Sequence, residues 1–194
     1  MRAVVAVALV AGLALIAVPS RPEPEPPTEE YPLAPGMKWT YASRGGPKVV
    51  RHATGERTID GRRYVDMKFV LPLLGTHVWP MRWTRAGVVT WHEGREHLLM
   101  KFPMRPGDRW TIDVPGLPGL DEVAECEVVG PERVAFVGEE RTATRLNVTR
   151  VHRKTGRRTV DTEWYAPGYG LVRMQVTFGL RATFALEKFE RGGR

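Results

Sequence analysis

The chain has 194 residues, 42% of them hydrophobic and 26% charged, with a formal net charge of +7. That composition suits one globular domain with a real core, and a single cysteine, Cys126, excludes an internal disulfide. Residues 1–30 set two arginines against four glutamates, so the positive charge belongs to residues 31–194 and favours anionic partners without choosing among them.

The N-terminus reads as an export signal. Arg2 precedes a charge-free apolar run from Ala3 to Val18, which Pro19 and Ser20 break. The run is just short of the roughly 17–25 residues that span a bilayer as a helix, so residues 1–20 are a cleaved signal peptide or a retained membrane anchor. Both place the protein in the periplasm or at the cell surface. Residues 21–30, "RPEPEPPTEE", are a proline- and glutamate-rich linker whose prolines oppose helix and whose charges oppose burial. The folded domain is expected over 31–190.

Within it helical periodicity is absent and period two recurs. Val65, Met67, Phe69 and Leu71 alternate with Asp66, Lys68 and Val70, and Trp79, Met81 and Trp83 alternate with Pro80 and Arg82. Turn signals punctuate these runs at Asp60-Gly61, Ala86-Gly87, Glu93-Gly94, Val137-Gly138 and Thr155-Gly156. The fold class is therefore all-β: a single antiparallel sheet curled into an open or half-closed barrel. Apolar positions from Val172 to Leu186 keep one parity across Gly179, which predicts a long strand bent there, or a three-residue loop, rather than a two-residue hairpin.

One phrase occurs twice: "YPLAPGMKWTY" from Tyr31 and "FPMRPGDRWTI" from Phe102. Pro fixes φ and Gly accepts positive φ, so Pro-Gly makes a corner before a strand. Trp39 with Tyr41, and Trp110 with Ile112, then point to the core. A third corner, "WYAPGYGLV" from Trp164, feeds the last strand. The repeat marks the start of each half of the domain. These three motifs resemble a family of exported bacterial domains of unknown function described as TapB-like, over about Tyr31 to Phe189. The resemblance implies a curved, envelope-located β-domain and carries over no catalytic residue. A Pro-Ala-Gly-Thr-Phe segment common in that family is replaced here by "VGEERTATRL", Val137 to Leu146.

No catalytic motif stands out. "WHEGREH" places His92, Glu93 and His97 at a spacing of five on alternating flanks, where a zinc-protease helix needs four. A hairpin turn is expected, with no metal. Asp161 and Glu163 share a strand face, but their positions look exposed, as a buried acid–base pair's would not. Cys126 sits at an inward position as a small hydrophobe. No nucleotide or other cofactor-binding fingerprint is present, and nucleic acid is disfavoured by the export signal and the lack of a reading motif.

The expectation is a non-enzymatic envelope module that binds an apolar or amphiphilic ligand, or a partner protein, on a concave face. Trp39, Tyr41, Met67, Phe69, Trp79, Met81, Trp83, Met100, Trp110, Met174 and Phe178 would line it. The alternative is a scaffolding protein docking on an anionic polymer or lipid surface through a basic hairpin of Arg150, Arg153, Lys154, Arg157 and Arg158. A hydrolase comes third.

Overall fold

The computed structural model describes residues 30–71, 75–114, 122–177 and 181–192; the expected signal or anchor and nearly all of the expected linker lie outside them. The first half of the domain comprises β1 (Lys38–Ala42), β2 (Val49–Ile59), β3 (Arg62–Leu71), β4 (Gly75–Thr84), β5 (Gly87–His92) and β6 (Arg95–Lys101). The second comprises β7 (Arg109–Asp113), β8 (Glu122–Phe136), β9 (Glu139–His152), β10 (Arg158–Ala166), β11 (Gly170–Val176) and β12 (Ala182–Glu190). All twelve form one antiparallel sheet in the order β6-β5-β4-β3-β2-β1-β12-β11-β10-β9-β8-β7. The sheet closes almost into a barrel, with β6 and β7 facing each other across one unsealed seam.

Two six-stranded meanders, β1–β6 and β7–β12, thus meet twice. At β1–β12 a backbone ladder joins them, with Trp39 opposite Phe189; at β6–β7 there is none. The sequence repeat falls at the head of each meander. Gly36 and Gly107 sit at φ 84° and 85°, and matching turn bonds run from Met37 N to Ala34 O (3.3 Å) and from Asp108 N to Arg105 O (2.9 Å). The corners even dock alike: Gly36 N and Gly107 N donate to Ala53 O and Val128 O on the following strands, 2.7 and 2.8 Å away. Antiparallel order puts both corners, and the third at Pro167-Gly168, at one end of the barrel. The hairpins joining β1–β2, β5–β6 and β9–β10 lie at the far end.

Of the two C-terminal expectations, the bent strand falls and the odd-length loop holds in kind. β11 and β12 are antiparallel neighbours, with Met174 opposite Phe184 and Val176 opposite Ala182. An odd number of connecting residues, 177–181, preserves parity as a bend would, so alternation alone could not separate the two.

A ring of twelve strands is wider than one of eight, whose interior ordinary side chains just fill. Large residues fill this one. Tyr31, Trp39, Tyr41, Met67, Trp83, Phe102, Tyr165 and Leu186 belong to one buried cluster. Tyr31 acts as a plug ahead of β1: its ring packs on Phe102 and Tyr165, and its carbonyl accepts the Trp83 indole N–H at 3.0 Å. Gly170, at φ 72°, permits this, since a Cβ there would lie 2.8 Å from Tyr31 Cδ2. Outward positions carry Lys68, Glu125, Glu127, Arg145 and Lys188 among others, partly or fully exposed. A lipid-facing barrel presents an apolar band there; this one is polar outside and packed inside.

Candidate functional site

The seam is stitched by side chains. Trp110 on β7 donates its indole N–H to Leu99 O on β6 at 3.2 Å. His97 Nδ1 on β6 lies 3.0 Å from Asp113 O at the end of β7. A carbonyl only accepts, so Nδ1 carries the proton, and in the neutral ring Nε2 presents a lone pair. Lys101 and Asp108 close the connection between the two strands with a 2.7 Å ion pair. Unladdered edges like these are pairing templates that folded proteins ordinarily cover or blunt.

Outside, beside the β6 edge, Arg82, Thr84, Arg85, Ala86, Val89, Glu96 and Leu98 line an open groove of about 770 Å³. Its floor is fixed by Glu96, which takes hydrogen bonds from Tyr64 and the Arg82 guanidinium. Burial raises the Glu96 pKa, but the bonds from Arg82 and Tyr64 outweigh it and hold the carboxyl below its usual range.

The interior is not purely apolar. Toward the far end, Arg150 donates to Asp161 Oδ2 (2.8 Å) and Glu163 Oε1 (3.1 Å) and lies 3.7 Å from Glu122. Glu163 also accepts the Tyr165 hydroxyl at 2.6 Å, and Asp161 accepts Thr177 N at 2.8 Å. Burial, then the Glu163 charge, pushes the Tyr165 phenol well up. Arg51 lies over the Tyr41 and Phe69 rings, 5.6 and 5.2 Å from their centroids. Burial opposes its charge, yet the surrounding tyrosines and Glu163 outweigh that and raise its pKa. Cys126, 2% exposed, is pushed up to about 12, by burial first and by Glu163 second.

The expected ligand-lining residues Trp39, Tyr41, Met67, Phe69, Met81, Trp83 and Met100 all lie in the buried cluster, and Trp79, Trp110 and Met174 pack against it partly buried. Phe178 lies outside the described residues. Tyr41, Met67 and Met81 are at most 1% exposed.

Two expectations change. Asp161 is not exposed: it is 3% exposed and inward, while its apolar neighbour Val160 is 53% exposed and outward. Arg150 does not project from the basic hairpin, because its register beside inward Leu146 and Val148 turns it into the barrel. The rest of that hairpin is exposed as expected, with Arg153 paired to Asp113 and Arg158 3.6 Å from Glu125. Lys154 and Arg157 are exposed. Sequence reasoning missed Arg51. The parity of β2, read from buried Val49 and Ala53, would have placed Arg51 inside.

Together these features define a class: a polar-surfaced, aromatic-filled, twelve-stranded barrel with one side-chain-stitched seam. Its fold is similar to that of a Bacteroides fragilis protein of YmcC-like fold, inferred to be exported, with a TM-score of 0.52 and 16% identity over 82% of this chain and 98% of that one. A Parabacteroides distasonis protein, a lipoprotein by inference, is similar over 82% and 97% with a TM-score of 0.44 and 12% identity. No family model and no curated protein matches the sequence.

Proposed function

We propose that this is an exported, non-catalytic binding module of the cell envelope, and that it receives a partner protein along the β6–β7 seam. The N-terminal apolar run supports export, as does the inferred export of the Bacteroides fragilis protein of similar fold. One observation carries the binding site: β6 and β7 are the only sheet edges among the described residues, and they adjoin without a ladder. A strand added at such an edge gains main-chain hydrogen bonds for affinity and neighbouring side-chain pockets for specificity. The groove beside β6 supplies the pockets. An amphiphile in the interior would have to displace buried side chains, whereas the seam needs only its side-chain stitches undone. Asp161 and Glu163 satisfy Arg150 and Tyr165 rather than facing a cleft, which favours a structural over a hydrolytic role.

The test is site-specific photocrosslinking in the native envelope. A photoreactive residue at Arg95 or Thr111, exposed on β6 and β7, should give discrete protein adducts, and one at Thr162 on mid-sheet β10 should not. Adducts at Thr162 equal to those at the seam, or none at the seam, would reject the reading.

A further inference from the structure

The β5–β6 hairpin holds two imidazoles whose chemistry the seam does not use up. We propose that His92 and His97 together bind a divalent transition-metal ion of the zinc, copper or nickel class. The expectation of no metal in "WHEGREH" rested on helical spacing, and a hairpin obeys a different rule. Glu93 and Gly94 form a two-residue turn with φ 46° and 79°, pairing His92 with Arg95 and Thr90 with His97. Positions 92 and 97 therefore share one face as a cross-strand diagonal. Such diagonals lie within reach of aromatic side chains.

The rings are 6.3 Å apart, centroid to centroid. Two imidazoles on one zinc, each with Zn–N of about 2.0–2.1 Å, stand roughly 5–6 Å apart by the same measure, so a small side-chain adjustment closes the site. Both Nε2 atoms are buried with no hydrogen-bond partner. His97 is only 8% exposed, and a buried acceptor without a donor is costly unless something unseen satisfies it, such as water or an ion. Its Nδ1–H donates to Asp113 O, the outer contact that orients a ligating imidazole and leaves Nε2 for the metal. His92 keeps a fifth of its side chain in solvent, with Glu93 Oε1 3.8 Å from its Nε2, which gives the ion a way in. No group of three or more ligating residues forms among the described residues, so two imidazoles and water complete the sphere.

The experiment uses the full chain, stripped with chelator and titrated with Cu²⁺ and with Zn²⁺. One equivalent should bind, and the paramagnetic resonance of the copper adduct should show two coupled imidazole nitrogens. His92→Gln, at a partly exposed position that stitches nothing, should weaken binding at least tenfold while leaving the circular dichroism unchanged. His97→Gln should do the same and also loosen the seam. His52, His77 and His152 remain in every variant, so unaltered one-equivalent binding by the His92→Gln/His97→Gln chain, or a copper spectrum with fewer than two imidazoles, would overturn the proposal.

Discussion

Tyr31 and Phe102, the opening residues of the two repeats, meet ring to ring with centroids 6.2 Å apart. Each is nearly fully buried, so each meander delivers an aromatic plug ahead of its first strand and the two plugs pack on each other. Phe102→Ala should cost about 3–5 kcal/mol, the range for removing a buried phenyl ring. Tyr31→Ala should cost a similar amount. Because the rings touch, the double variant should lose less than the two single losses combined, as urea unfolding would reveal.

Trp110→Phe keeps a ring at the seam but deletes its N–H. The loss should be about 0.5–1.5 kcal/mol, the net worth of one hydrogen bond. Amide exchange should quicken in β6 and β7 first, with β10 and β11 unchanged.

Arg150 is the cation that Asp161, Glu163 and Glu122 surround. Arg150→Met should destabilise by about 3–5 kcal/mol, since it leaves buried carboxylates uncompensated. Adding Asp161→Asn should recover part of the loss, measured as the urea midpoint at neutral pH.

Glu96 supplies a pH dependence. Its folded pKa lies below its unfolded value, so the folded state holds the proton less tightly. The stabilisation from Arg82 and Tyr64 is then complete above the ordinary carboxylate range and fades as pH falls through the folded pKa. Wild type should exceed Glu96→Gln in stability at pH 7, and the gap should narrow steadily below about pH 4, near the unperturbed glutamate value.

Cys126 should be inert while the chain is folded. With its thiol pushed up to about 12 by burial, almost no thiolate exists at pH 8. Alkylation by iodoacetamide should be negligible in buffer and rapid in 8 M urea, roughly the regime of full unfolding.

Architecture was legible where local chemistry sets it. Pro35-Gly36 and Pro106-Gly107 dictate corners, and inward Trp39 and Tyr41 follow from period two. What hid was the partnership of strands. Parity could not distinguish a bend at Gly179 from a β11–β12 hairpin, because both keep Met174 and Phe184 on one face. The interior charges hid for a related reason. β10 reverses the usual alternation, with Val160 outward and Asp161 inward, and Arg150 from β9 together with Thr177 N makes that tolerable. Pairing partners of this kind are tertiary facts, and a single strand's hydropathy does not carry them.

The ladder between β1 and β12 has a temporal side. The first strand to leave the ribosome, or a translocation channel, must wait for the last before its free edge is covered. Early meanders can zip locally, but ring closure joins residues separated by most of the chain, the kind of contact that slows folding. A truncation that removes β12 should therefore leave a growing chain with β1 bare, which makes the nine residues of that strand the lock of the whole cylinder.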